Sequence, residues 1–374
     1  GASDDSLVVN NAGTLDLSNG GAGNNLLTID GTLASLGGTL RLATRLSGAG
    51  GQSDALRVNG DVTGTTLIDD RILAGSAATQ SDASGDGAID GREGVSLAQV
   101  SGNASADSFA LQGGYLAAGP WQYGLYAFAP DGSGAGWDYR LANRYVCEDG
   151  TLCQPQAGRA ASRAARPALA PQVPSYLSAP VGLAYYTQAI TDDLHKRLGE
   201  LRDGQRSGAG GELFLRYLGS NLTYQSNRDF SDYGFDADID YSAVQLGGNL
   251  LQLDGASDSL RGGVAYTRGN TRIRPHAADG YSATTFDSDS VSFYGTWQRD
   301  SGLYLDGSLS WSWHRGDTDI ARQKEVAKLK ADGWSASLES GYPFVFANGL
   351  RLEPQAQLTW MRLKFDDATD KDGT

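Results

Sequence analysis

The chain has 374 residues with 30 basic and 44 acidic side chains, a formal charge of −14, and so a poor match to a polyanionic nucleic-acid partner. No run approaches the 18 or so apolar residues of a membrane helix. The negative mean hydropathy leaves a membrane barrel open, because half of every barrel strand faces water, and the 51 Gly against 10 Pro suit turns between many strands.

Residues 1–145 carry short apolar runs separated by Gly, Asn and Asp: Leu15-Asp16-Leu17, Leu26-Leu27-Thr28-Ile29, Thr39-Leu40-Arg41-Leu42, Ala55-Leu56-Arg57-Val58 and Thr66-Leu67-Ile68. Strands this short bury enough surface only when stacked as rungs of a solenoid. The expectation is the end of a β-helix, with Phe109 to Phe128 as a capping hairpin or meander. Gly1 precedes a strand-like pattern, Ser6 to Asn10, so the N-terminus reads as a cut end.

An acidic loop interrupts this region. From Asp82, oxygen-bearing side chains fall at Asp82, Ser84, Asp86, Asp90 and Glu93, with Gly87 between them. That is the spacing of a Ca²⁺ loop, in which a hard cation collects oxygens and a glycine permits the sharp turn. The flanks are strand-like rather than helical, and the alternative is a solvated acidic loop. No other cofactor is suggested. Cys147 and Cys153 are the two cysteines; they bracket an Asp149-Gly150 turn and read as a local disulfide of an oxidising compartment.

Residues 146–180 hold Pro155, Pro167, Pro171, Pro174 and Pro180 among alanines and arginines, and read as an extended linker. Residues 181–206 read as a helix, with Ile190, Leu194, Leu198 and Leu201 on one stripe and Lys196, Arg197 and Arg202 toward the C-terminus. It is long enough to traverse a membrane and too charged to face lipid. The water-filled lumen of a barrel suits it; a surface helix between two domains is the alternative.

Residues 207–374 alternate with period two. Leu303, Leu305, Leu309, Trp311 and Trp313 share one face, and Tyr304, Asp306, Ser308, Ser310, Ser312 and His314 share the other. Strand candidates are 212–219, 241–253, 260–268, 291–298, 303–314, 334–346 and 350–361, joined alternately by long polar segments and short turns. Aromatic residues recur near strand ends. A barrel with long outer loops and short periplasmic turns has this asymmetry, and a soluble sandwich has no reason for it.

Taken in order, these pieces resemble a monomeric autotransporter of the type V secretion system with a pertactin-like passenger end. The resemblance is carried by Asp54 to Gly60, Gly94 to Gly102, Tyr115 to Gly119, Tyr123 to Tyr126 and Trp137 to Leu141 in an autochaperone cap. It continues through Leu194 to Gly199 in a linker helix, and through Gln245 to Asn249, Leu303 to Gly307, Ala336 to Phe344 and Leu352 to Leu358 in a translocator. It implies an all-β fold: the end of a right-handed parallel β-helix, a lumen helix, and about seven strands of a twelve-stranded transmembrane barrel. Such barrels end in an aromatic residue, so the chain is expected to be truncated at both ends. The implied function is export of an N-terminal passenger to the surface of a Gram-negative cell. Implied partners are outer-membrane lipid, the barrel-assembly machinery, periplasmic chaperones and, through the passenger, a host surface or matrix. Surface adhesin and secreted enzyme with an upstream active site remain alternatives.

No catalytic site is evident. There is no Gly-x-Ser-x-Gly, and His195, His276 and His314 are scattered. Some autotransporters cleave themselves at the helix; no Asn lies between Pro174 and Arg206, which removes Asn cyclisation there. Acid-assisted cleavage by Asp192 and Asp193 beside His195 is one reading. Pairing of Asp192, Asp193, Lys196 and Arg197 with lumen residues such as Arg216, Glu339, Arg351 and Glu353 is the other.

Overall fold

The computed structural model describes residues 7–48, 50–130, 136–157, 163–203 and 213–372, with side chains except for 196–203. The short runs stack as expected, into three parallel sheets. One holds Leu7–Asn11, Gly31–Ser35 and Val62–Thr63. The second holds Leu26–Ile29, Ala55–Val58 and Val95–Val100. The third holds Thr14–Asp16, Thr39–Ser47, Thr66–Ile72 and Phe109–Leu111. Each coil contributes one strand per sheet, and Ile29, Leu33, Leu40, Leu42, Leu56, Val58, Ile68 and Leu97 share one interior. Phe109–Leu111, expected in the cap, is instead the last parallel rung, paired with Thr66–Ile68.

The cap proper is an antiparallel meander of Leu116–Ala118, Trp121–Phe128 and Trp137–Asn143. Its last strand runs antiparallel to Val95–Val100. The chain direction thus reverses at the end of the stack, and Tyr123 and Tyr139 cover the open core, with the Tyr139 and Phe109 rings 4.7 Å apart. A reversed, aromatic rung ends the solenoid without offering another template edge.

The expected linker is structured. Leu152–Cys153, Tyr145–Cys147 and Ala164–Pro167 form a small antiparallel sheet, and the helix begins at Val173 rather than at 181. Pro174 falls in the first turn, where its missing N–H costs nothing. Pro180 lies inside the helix and forgoes one i→i−4 bond. The helix runs from Val173 to Asp203, 31 residues, or about 46 Å.

Seven antiparallel strands follow, each paired with its sequence neighbour: Leu213–Tyr224, Asp236–Asp254, Asp258–His276, Ser282–Arg299, Tyr304–Ile320, Gln323–Gly341 and Gln355–Phe365. They wrap the helix as a partial barrel. The strands are longer than expected: the polar segments 269–290 and 315–333 are mostly strand with tight connections at their tips, whereas 220–240 keeps the connection 225–235 between Tyr224 and Asp236. The expected strand 334–346 ends at Gly341. Residues 350–361 divide at Pro354, with Arg351–Leu352 pairing Phe344–Val345 in a separate hairpin.

The additional length has a distinct polarity. Toward the short turns, outward side chains are apolar (Val244, Leu246, Tyr266, Phe293, Leu309, Trp311, Trp313, Trp334, Leu338, Trp360), and inward ones are polar (Gln245, Thr267, Ser290, Ser292, Ser310, Ser337). Beyond Trp313 and Trp334 the pattern inverts. Asp238, Arg272, Arg274, Asp287, Asp317 and Lys328 point outward, while Ala237, Ile239, Ile273, Phe286 and Leu329 point inward. The apolar outer band is the membrane-spanning part, and the inverted part projects above it.

One buried charge in the β-helix makes a pH prediction. Asp70 accepts hydrogen bonds from Thr44 Oγ1 at 2.9 and 2.8 Å. Burial pushes its carboxyl up to about 7, with the nearby Asp54 charge adding to the effect. A raised folded-state pKa means that the folded chain holds a proton the unfolded chain releases, so this group's contribution to stability falls as pH rises from about 4 to about 7. Asp70→Asn should therefore stabilise the β-helix at pH 8, by no more than about 4 kcal/mol at ~1.36 kcal/mol per pKa unit, and change little at pH 4. Denaturant melts at the two pH values check this; an equal effect at both would contradict it.

Candidate functional site

The site is the helix inside the barrel wall. Its inward stripe changes chemistry along its length. Ala179 and Leu183 pack with Ile239, Ile273, Phe286 and Leu329 in the projecting part. Gly182 abuts Ile273 so closely that a Cβ there would displace the end of that side chain. Farther down, Tyr186 and Ile190 pack on Ala243, and Leu194 on Ala265 and Tyr294.

At the same height as Ile190 and Leu194, other positions of the helix make polar contacts. Thr191 Oγ1 lies 3.1 Å from Ser335 Oγ. His195 is 6% exposed and Asp306 is fully buried; Nδ1 donates to Asp306 Oδ2 at 2.6 Å. With the proton on Nδ1, Nε2 accepts from Ser337 Oγ at 2.9 Å. Glu339 Oε2 is 3.8 Å from Nδ1, and Thr296 Oγ1 donates to Asp306. Gln357 Nε2 donates to Asp192 Oδ1 at 3.2 Å. Arg216 Nη1 donates to the Asp193 carbonyl at 2.7 Å and lies 3.5 Å from its carboxylate. The expected pairing of Asp193 with Arg216 is present, and His195 is the centre of the network. Arg351 instead pairs with Glu353, at 3.2 Å. The side chains of Lys196 and Arg197 lie outside the described residues.

Sequence spacing did not suggest that Ser337, His195 and Asp306 would meet, because they come from the helix and two strands more than a hundred residues away. Their hydrogen-bond order is that of a nucleophilic triad. Ser337 is 3% exposed, however, and its hydroxyl also meets Gln357 Nε2 at 3.0 Å and Thr359 Oγ1 at 3.1 Å. A buried hydroxyl with these partners has no room for an incoming carbonyl, and the arrangement anchors the helix.

The carboxylates of the acidic loop hold its turns. The Glu93 carboxylate accepts the backbone N–H groups of Ala83, Ser84 and Asp90, and Asp82 accepts those of Gly85 and Gly87 together with the Ser84 hydroxyl. Asp86 and Asp90 each accept the N–H two residues on, from Ala88 and Arg92. The structure spends these oxygens on turns, and no group of three or more metal-type side chains converges among the described residues. Cys147 and Cys153 form a disulfide with Cα atoms 6.0 Å apart.

His195→Ala would remove the imidazole from the buried Asp306 carboxylate and lower barrel stability by about 2 kcal/mol, the scale of a hydrogen bond to a charged group. Loss of the compact band on unheated gels, followed against temperature, should occur several degrees lower in the variant. An unchanged midpoint would contradict the anchoring role.

Comparison with known proteins agrees with this arrangement. The family described as Autochaperone Domain Type 1 matches residues 3–125, and the Autotransporter beta-domain matches residues 213–374. YuaQ of Escherichia coli K12, an uncharacterized protein, is 28% identical over 402 residues, covering 98% of this chain and 26% of that protein. The adhesin BmaC autotransporter of Brucella suis is 27% identical over 392 residues, covering 96% of this chain and 10% of that protein. The pertactin autotransporter of Bordetella bronchiseptica is 35% identical over 219 residues, covering 56% and 21%. The chain spans about a quarter or less of each of these relatives. With an autochaperone at one end of a lumen helix and beta-domain strands around it, the chain belongs to the autotransporters, as the autochaperone end of a passenger together with part of its outer-membrane β-barrel translocator.

Proposed function

We propose that this chain exports the passenger that precedes it and starts that passenger's folding at the cell surface. The observation that carries the proposal is the position of the helix. It runs the height of the barrel, with its first residues among the tips next to the cap and its last residues toward the short turns. A chain drawn outward through the lumen ends in this position. The cap, closest to the barrel, is then the first part of the passenger able to fold outside. Val95–Val100, paired with the cap's last strand, and the aromatic lid offer a formed rung on which upstream coils stack. A folded rung is wider than the lumen, so folding biases movement outward without a nucleotide.

In this reading the partners are outer-membrane lipid around the apolar band, periplasmic chaperones before insertion and the barrel-assembly machinery during it. The chain itself catalyses nothing, and the acidic loop 82–93 supports its own turns rather than a cation. A second reading, a surface adhesin whose β-helix contacts a host surface or matrix, draws support from the name of the Brucella relative and concerns the passenger as a whole.

Leu125 lies in the cap and packs against the β-helix core. Leu125→Arg puts a charge into that contact and should slow the appearance of passenger at the surface several-fold, with the amount of folded barrel unchanged. Pulse-labelling followed by protease treatment of intact cells measures both. Export at the normal rate would refute the autochaperone role.

A further inference from the structure

The cap is not simply tethered to the barrel; it is bound by it. The segment between them, residues 164–172, is held on both sides. On the cap side, Ala164–Pro167 pairs with Tyr145–Cys147, Gln122 N donates to the Ala168 carbonyl at 2.9 Å, and Ala170 N donates to Pro120 O at 2.8 Å. On the barrel side the contact is an ion pair. Arg166 Nη1 and Nη2 donate to Asp279 Oδ1 and Oδ2 at 2.7 and 2.6 Å, with side chains 3% and 0% exposed. Asp279 sits in the connection between the third and fourth barrel strands.

Every side-chain nitrogen and oxygen of the pair itself is used. Arg166 Nε donates to the Phe230 carbonyl at 2.6 Å, in the connection between the first two barrel strands, and its guanidinium lies 4.8 Å from the centre of the Tyr233 ring. Leu169 N donates to Asp279 Oδ1 at 2.7 Å. Gln122 of the cap donates through Nε2 to the carbonyls of Leu169 and Asp279. Around the polar centre, Ala117 of the cap, Leu169, Ala170 and Val173 of the segment and Phe235 of the barrel form one apolar cluster. A third barrel tip joins through Arg322, which donates to Tyr115 O at 3.1 Å and stacks over that ring.

We propose that Arg166 and Asp279 form a latch that docks the passenger cap onto the outer rim of the barrel, and that this latch closes when export is complete. The inference rests on the translocator reading for its timing and on the geometry alone for the docking. Arg166 lies just before the helix, so it meets Asp279 only when the helix has reached its seat. A shift of one residue in either direction turns the guanidinium away and strands two buried charges, which makes the end point discrete. The bidentate fork is specific to arginine and carboxylate. The occupant of the rim is this chain's own cap, and the passenger is displayed on a fixed base.

The test uses the full-length protein on intact cells. Asp279→Asn and Arg166→Met should each raise the rate of proteinase K cleavage within 163–172 at least tenfold, with surface passenger and the heat-modifiable barrel unchanged. The exchange Arg166→Asp with Asp279→Arg should recover at least part of the protection. Cleavage of both single variants at the wild-type rate would overturn the latch. A second measurement covers variants that do not reach the surface. Ala277, in the connection between the third and fourth barrel strands, packs against the same apolar cluster as Ala117, so the pair Ala117→Cys and Ala277→Cys, in otherwise native purified protein, should cross-link on mild oxidation. Absence of that cross-link overturns the docking whether or not export is the function, whereas failure of the wild-type passenger to reach the surface counts against the export reading.

Discussion

The structure depends on one matching of polarity: the helix is apolar where the projecting wall is lined by Ile239, Ile273 and Phe286, and it adds polar residues beside Ile190 and Leu194 where the wall within the band offers hydroxyls and Asp306. Within the lipid band the wall must be apolar outside, so its alternate residues, facing in, are free to be polar. Above the band the outer face meets water and the inner face becomes the core. The helix follows this order, with Ala179 and Leu183 among Ile239, Ile273 and Phe286, and then Thr191, Asp192, Asp193 and His195 among serines and Asp306. A helix displaced by a turn would carry His195 away from Asp306 and Ser337 and Leu183 away from the apolar cluster of the projecting wall. The buried Asp306, already held in place by Thr296, would then lose its imidazole.

That dependence explains which parts of the fold were legible in sequence. The faces of 303–314 were readable because lipid and water give opposite signals on alternate residues. The projecting halves of the strands read as loops because their outer residues are charged and their inner ones include Gly, Ala, Ser and Thr; only the ladder with neighbouring strands shows them to be continuous. The helix start was hidden by Pro174 and Pro180, residues that signal linker but are tolerated in a first turn and in a helix supported by packing. The Ser337–His195–Asp306 contact was invisible because nothing local ties a helix residue to strands more than a hundred positions away. In the acidic loop the side chains at cation-ligand spacing also serve turns, with Asp82 and Glu93 accepting backbone N–H groups.

The same polarity logic gives the passenger end its form. Short parallel rungs bury their apolar residues only by stacking, and the stack needs a finished edge. The antiparallel cap supplies it, and the latch segment then binds the cap to the rim. Aromatic lid, small sheet, disulfide, Arg166 and helix lie in chain order, so each element can form as its stretch of chain emerges. In the export reading proposed above, the free energy available outside comes from burial of rung residues such as Leu40, Leu56 and Leu97, and the lumen needs only to hold the last segment in place.

The most direct test of this account is the register of the helix in the lumen, read by paired cysteines in the outer-membrane form of the protein. Gly182→Cys with Ile273→Cys and His195→Cys with Asp306→Cys should each cross-link rapidly, while the mismatched pair His195→Cys with Ile273→Cys should not. Rapid cross-linking of all three pairs would mean that the helix slides in the lumen. Cross-linking of none would mean that it is not there. Either result would contradict the matching of helix to wall on which the structure is built.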